Sequence, residues 1–210
     1  NVVDMADGEY VWMIGDDDLL MPDALEKILD VIGKNNDVDF FYINSFHLKT
    51  EYVFDHPQPF DTKNLPKNMS KFSSWNGDGK INFLDLIDYN VSFDFLGGIF
   101  LSVFNRKKWL ENAHFLDDLA LHNDEIFSHF DNTFPHIKIF ANAFYKSKAY
   151  FYSQPLSVSL SGAQEWAPMY PFVRSVRLIE ALDVYRMNGL SYVRFWQCKN
   201  STLRNFIPDM

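Results

Sequence analysis

The apolar positions change period several times along the chain. Tyr10-Val11-Trp12-Met13-Ile14 is a short β-rich run that stops at Gly15 and meets Asp16, Asp17 and Asp18 at once. That is the pattern of a buried strand delivering carboxylates to its C-terminal edge. Pro22 then suits the first turn of a helix and Asp23 its positive end, and Leu25, Ile28, Leu29 and Ile32 recur at helical spacing up to Gly33. Val38 to Phe46 returns to a strand. Strand, acidic turn, helix and strand make an α/β unit, in which ligands gather at the carboxyl ends of the strands.

From His47 to Gly79 the period breaks into Pro, Asn, Lys, Ser and Asp with isolated aromatics, which reads as a long loop or irregular insertion. Leu84, Leu86 and Ile87 predict a short helix, and Gly97-Gly98 introduces a strand over Ile99 to Phe104. A helix is expected at Asp124 to Phe130, with Ile126, Phe127 and Phe130 on one face. Strands follow near Ile137 to Tyr145 and Ala149 to Tyr152. Two helices close the chain, from about Pro171 to Met187 and from about Ser191 to Phe206. There is no internal repeat.

Composition narrows the class. With 210 residues and 47% hydrophobic content, the chain can bury one sizeable core, and no apolar run is long enough to span a bilayer. A net charge of −9, with the basic residues scattered among more numerous acids, argues against nucleic acid as a partner. Only the C-terminal stretch is locally basic, through Arg174, Arg177, Arg186, Arg194, Lys199 and Arg204; it suits a solvated helix face or an anionic membrane surface. The single cysteine, Cys198, excludes an internal disulfide framework and fits a reducing, cytoplasmic setting. The polar Asn1 to Asp7 start does not read as a signal peptide.

Three consecutive carboxylates after a buried strand repel one another, and a divalent cation removes that cost. Aspartate oxygens are hard ligands suited to Mn2+ or Mg2+, which commonly take one or two carboxylates and complete their shell with substrate phosphates and water. The competing reading is a solvated acidic turn in which Asp18 or Asp23 caps the next helix. A second metal pattern lies in Ser74 to Asp85, where Asn76, Asp78, Gly79, Ile81 and Asp85 fall at calcium-loop positions. Ser at the first position, the short Asp at the last and the lack of an entering helix weigh against it.

The segment Asp7-Gly8-Glu9-Tyr10 through Asp16-Asp17-Asp18 to Pro22-Asp23-Ala24-Leu25 closely resembles family-2 glycosyltransferases, in which a Gly-Glu-Tyr, an apolar strand, an aspartate-rich motif and a Pro-led helix follow in this order. The resemblance implies an α/β, partial GT-A fold, that is, a Rossmann-like nucleotide-diphospho-sugar transferase with a mixed sheet and C-terminal helices. It implies that Asp16, Asp17 and Asp18 face the donor diphosphate, with Asp18 and Asp16 as ligands of Mn2+ or Mg2+. Many members carry Asp where this chain has Gly15, so the assignment among the three can shift by one position.

Farther on, Phe95-Leu96-Gly97-Gly98-Ile99-Phe100 and Asn105-Arg106-Lys107-Lys108-Trp109 resemble the family's acceptor-lining turn and strand, followed by a basic-aromatic helix start. This implies Gly97, Gly98 and Arg106 as acceptor-site residues; an ordinary glycine turn is the alternative. His122-Asn123-Asp124-Glu125 sits where inverting members carry an acidic pair, which implies Asp124 as catalytic base with Glu125 in reserve. The alternative is a pair of acids in a helix's first turn. Trp166, His122 and Trp75 are aromatic candidates for packing on sugar faces.

A nucleotide-sugar donor and a saccharide or lipid-linked acceptor are the implied partners, in bacterial surface polysaccharide assembly, in the cytoplasm or at the inner face of the membrane. A GT-A domain normally opens with a nucleotide-binding βαβ half, whereas fifteen residues precede Asp16 here. Residues 1–160 are therefore expected to be the C-terminal portion of a catalytic core lacking most of that half, and 161–210 a helical extension. The edge of the first strand would then invite pairing with a second copy. A non-catalytic carbohydrate- or partner-binding half-domain and an acidic calcium-binding protein are the other classes.

Overall fold

A computed structural model describes residues 2–125, 127–162 and 166–204 of the chain. In it, β1 (Tyr10–Trp12), β2 (Leu19–Leu20), β3 (Phe40–Lys49), β4 (Ser70–Lys71), β5 (Gly79–Asn82), β6 (Ser102–Asn105) and β7 (Lys148–Ser161) form one mixed sheet. The strand order is β1-β6-β3-β7-β2, with β4 on the far part of β3 and β5 on the first part of β7. The helices that cover it are α1 (Ala24–Lys34), α2 (Arg106–Asn112), α3 (Pro135–Phe144), α4 (Leu178–Met187) and α5 (Tyr192–Leu203).

The sheet is buried on both sides, and β3 shows why. Phe40 and Tyr42 enter one apolar cluster, while Phe41 and Ile43, one step out of phase, enter another. All four are fully buried. A strand covered on both faces reads as a continuous apolar run rather than an alternating one, as Val38 to Ile43 does. On one face lies α1, which contributes Ala24, Ile28 and Val31. The other face takes α3 and the C-terminal helices: Phe140, Phe144, Tyr185 and Cys198 share the cluster of Phe40 and Phe83. Each large apolar side chain buried in this way contributes about 1.5–3 kcal/mol.

Several expected elements form close to where the pattern puts them, including β1, α1, β3, α4 and α5. The expected end of the last helix, Phe206, lies outside the described residues. The apolar face of α1 is narrower than its periodicity suggests, because Leu25 and Leu29 point outward. The strand expected at Ile137 to Tyr145 is instead α3. Pro135 occupies its first turn, and Ile137, Phe140, Ala141 and Phe144 lie on one helical stripe; a short apolar run cannot be assigned to strand or helix by periodicity alone. Among the described residues, the helix expected at Asp124 to Phe130 is also absent. Asp124 and Glu125 lie in an exposed turn, and a short helix begins only at Phe130. Ile126 lies outside the described residues.

β7 runs past Pro155, well beyond the expected end at Tyr152, because the ladder with β3 breaks there. Ile43 pairs with Tyr152 and Ser45 with Ser157, so residues 153–156 bulge opposite Asn44. Proline is tolerated at such an irregularity since it has no N–H to give to the ladder. The broken rung is replaced by one side chain. The buried Asn44 amide donates from Nδ2 to the carbonyls of Ser73 (2.9 Å) and Ser153 (3.0 Å). Its Oδ1 accepts from the N–H groups of Ser45 and Ser73, both at 3.0 Å. Asp78 completes the bulge by accepting the Ser153 N–H at 2.7 Å.

Asn44→Leu would leave these buried backbone groups without partners, each at about 1–3 kcal/mol. The expected result is a loss of at least about 3 kcal/mol, seen as a lower urea midpoint with an unchanged slope.

Candidate functional site

The acidic turn is built at a crossing. β1 ends at Trp12, whose indole Nε1 donates to the Phe100 carbonyl at 2.7 Å and fixes the strand's exit beside β6. The chain must then travel from β1, at one end of the sheet order, to β2, which pairs with Val158 and Ser157 of β7 at the other. Residues 13–18 make that crossing, and Asp18 arrives beside Ser159 in the C-terminal part of β7, towards the strand ends at which α/β sheets bind ligands. The turn is closed reciprocally: the Asp18 N–H donates to the Gly15 carbonyl at 3.2 Å, and the Gly15 N–H donates to Asp18 Oδ2 at 3.0 Å.

Asp16 and Asp17 are exposed and Asp18 is half-buried. Burial raises the Asp18 pKa above the ordinary carboxylate value, against the opposing pull of the Gly15 N–H and the Ser159 hydroxyl. A Cβ at Gly15 would come within 2.7 Å of Asp17 Oδ1, so the bare glycine leaves the carboxylates room. Among the described residues no three His, Cys, Asp or Glu side chains form a ready-made metal cage. Mn2+ and Mg2+ do not require one, since one or two carboxylates with substrate phosphates suffice. The exposed Asp16 and the half-buried Asp18 fit that role.

Gly97 and Gly98 follow the most unusual backbone of the chain. Asp94, Phe95 and Leu96 have φ of 43°, 53° and 73°, three consecutive non-glycine residues in the left-handed region. Each costs about 1–2 kcal/mol, so the surroundings must hold them. The Leu96 N–H donates to Ser92 Oγ at 2.9 Å, and the Gly97 N–H to the Asp94 carbonyl at 2.9 Å. His136 Nε2 bonds the Leu96 carbonyl at 3.0 Å and the Tyr185 hydroxyl donates to the Phe95 carbonyl at 3.2 Å. Glycine is required at 97 and 98 by close approach: an added Cβ would lie 3.0 Å from the Asp94 carbonyl oxygen or 2.8 Å from the Phe100 ring.

The outcome of this strained turn is a nearly buried carboxylate. The Asp94 side chain is 9% exposed, takes a hydrogen bond from the Tyr170 hydroxyl, and lies 3.8 Å from Arg174 Nε. Sequence reasoning missed Asp94, Tyr170 and Arg174. The one available signal was an aspartate flanked by phenylalanines, a charge set inside an apolar run.

Asp124 and Glu125 stand in the neighbouring turn, held from both sides. The Glu125 N–H donates to Asn123 Oδ1 at 2.9 Å, and Asn132 Nδ2 donates to the Glu125 carbonyl at 3.0 Å. Arg177 donates to the carbonyls of Phe127 and Ser128, and the Phe127 ring packs edge-on against Trp166, which also contacts Tyr170. The structure thus brings Asp124, Glu125, Trp166 and the turn before Gly97 and Gly98 into one neighbourhood.

Arg106 is placed elsewhere. It follows Asn105, the partner of Tyr10 at the amino end of β1, and its guanidinium donates to the carbonyls of Val3 and Asp4. It is therefore at the edge opposite Asp16 to Asp18. His122 is exposed, and Trp75 packs on Phe151. The calcium-like segment is not a calcium loop: Gly79–Asn82 is a strand paired with β7, and Asp85 is engaged by Arg194 at 2.9 Å.

His136 supplies a test of the strained turn. Its ring is fully buried, and loss of hydration, only partly opposed by the Leu96 and Gly97 carbonyls, pushes its pKa down to about 4. An unfolded histidine protonates near 6.5, so the unfolded state takes up the proton first as pH falls. His136 therefore holds its full stabilising effect above about pH 6.5 and loses about 3 kcal/mol between there and about pH 4. The stability difference between the parent and His136→Gln, measured by urea unfolding, is expected to shrink by that amount over the same window.

No curated protein matches the chain. The family model described as Glycosyl transferase family 2 matches residues 1–95, a span that takes in the acidic turn, α1, β3 and the start of the strained turn. The seven-stranded mixed sheet and the C-terminal helices fit the Rossmann-like GT-A architecture. Over residues 1–95 the chain is thus similar to glycosyl transferase family 2.

Proposed function

We propose that the chain forms the cation and acceptor side of a glycosyltransferase that moves a sugar, with inversion, from a nucleoside-diphosphate donor to a saccharide or lipid-linked acceptor. The observation that carries this reading is the Gly15–Asp18 turn beside the C-terminal part of β7, inside the segment that matches the family. Asp18 and Asp16 would hold Mn2+ or Mg2+, which when bound offsets the charge of the leaving diphosphate. Asp17, exposed beside them, faces the donor. Asp124 accepts the proton of the attacking acceptor hydroxyl, and Glu125 supports the turn that carries it. Gly97 and Gly98 permit the turn that shapes the acceptor side, where Trp166 supplies an aromatic face.

The setting we propose is bacterial surface polysaccharide assembly at the inner face of the membrane. No helix among the described residues is long and apolar enough to cross a membrane. Peripheral contact is supported by α5, where Tyr192 and Trp196 are exposed and stacked with the cations of Arg186 and Lys199. β1, paired only with β6 among the described strands, offers an edge to a second copy.

Two measurements test this reading. Calorimetric titration with UDP, GDP, ADP and dTDP should show binding to at least one that needs Mn2+ and is lost in Asp18→Ala; equal binding by that variant removes the aspartate turn from the donor site. In a form of the protein that turns over, Asp124→Asn should lower the transfer rate by about 10²- to 10⁴-fold with donor binding intact, and Glu125→Gln much less. Lower stability with a normal rate would leave Asp124 a structural acid only.

A further inference from the structure

We propose that the cavity between the strained turn and the C-terminal helix is a glycoside-binding pocket in which Asp94 reads sugar hydroxyls. The cavity has a volume of about 340 Å³ and is lined by Tyr89, Asn90, Phe93, Asp94, Tyr170 and Arg174, among others. That volume is at the lower end for small-molecule sites, enough for a sugar ring and little more.

Three features of the lining select the ligand. Tyr89 is half-exposed at the rim and presents an aromatic face to an incoming ring. Asn90 is exposed beside it and offers both a donor and an acceptor. Deeper in, Asp94 is nine-tenths buried, and an ionised carboxylate has lone pairs to spare beyond the one that Tyr170 engages. A carboxylate in a confined pocket accepts hydroxyl hydrogens. Since Arg174 lies 3.8 Å from Asp94, the pair presents little net charge, which suits a neutral polyol better than an ion.

The strain points the same way. Four separate hydrogen bonds hold the three left-handed residues, and backbone held in sparsely populated regions clusters at ligand clamps. Here the conformation turns an aspartate from the middle of an apolar run toward the cavity. The helix opposite carries a π-helical turn over Val173–Arg177, directly after Tyr170–Phe172; such turns concentrate at functional sites. That a glycoside binds follows from this chemistry alone; that it is the acceptor rests on the glycosyltransferase reading.

The test is saturation-transfer NMR, followed by titration, of the 210-residue chain with the methyl glycosides of D-glucose, D-galactose, D-mannose and L-rhamnose. At least one should bind saturably in the millimolar range. Tyr89→Ala, at the surface and away from the core, should weaken it by about tenfold or more, as should Asp94→Asn, which keeps the shape and removes the charge. Glu26→Ala, on the exposed face of α1, should leave it unchanged. If Asp94→Asn does not fold, by circular dichroism, Tyr89→Ala decides alone. The proposal is overturned if none of the four binds, if binding survives Tyr89→Ala and every folded Asp94 variant, or if a nucleoside competes for the pocket. The nucleoside-diphosphate titration on the same sample reports separately on the donor site, so glycoside binding without it would leave the pocket standing and remove the transferase reading.

Discussion

The structure depends on a single buried amide. The parallel pair β3–β7 is the spine of the sheet, and every other strand joins it directly or through β6. That spine is discontinuous, with four residues of β7 set against Asn44. A buried gap in a ladder leaves backbone groups that must find partners or cost free energy. Asn44 satisfies four of them with one side chain, tying β3 to the Ser73 segment and to the β7 bulge. Because the ladder resumes beyond this point, β7 reaches β2, and the acidic turn is stretched between β1 and the C-terminal part of β7.

The two halves of the site are stabilised by different physics. Around Asp16 to Asp18 the carboxylates are mostly solvated, and local backbone hydrogen bonds are enough to shape the turn. Around Asp94 the backbone is strained, the carboxyl is nearly dry, and burial raises its pKa above the ordinary value. Holding it takes contacts from four separate places in the sequence: Ser92, His136, Tyr170 and Tyr185.

That difference explains what the sequence made legible. The strand, the three aspartates, the Pro-led helix and the following strand are local patterns of period and punctuation, and they form as read. The strained turn is not a local pattern. No rule of composition assigns left-handed backbone to Asp-Phe-Leu, and the contacts that enforce it come from residues up to 90 positions away, as between Tyr185 and Phe95. α3 was misread because its fully apolar stripe also suits a buried strand. The continuation of β7 was hidden by Pro155, a breaker that the bulge at Asn44 makes harmless. Asp124 and Glu125 read as a helix start, yet side chains from Asn123 and Asn132 capture the N–H and the carbonyl of Glu125 in a turn instead.

One helix, finally, has hold of two loops. Tyr170 and Arg174 meet Asp94, and one turn later Arg177 grips the carbonyls of Phe127 and Ser128, next to Asp124. The π-helical turn Val173–Arg177 carries both arginines. A rotation or slide of this segment would pull on both loops at once. The cavity and the acidic turn beside Asp124 are therefore both carried by one helical segment.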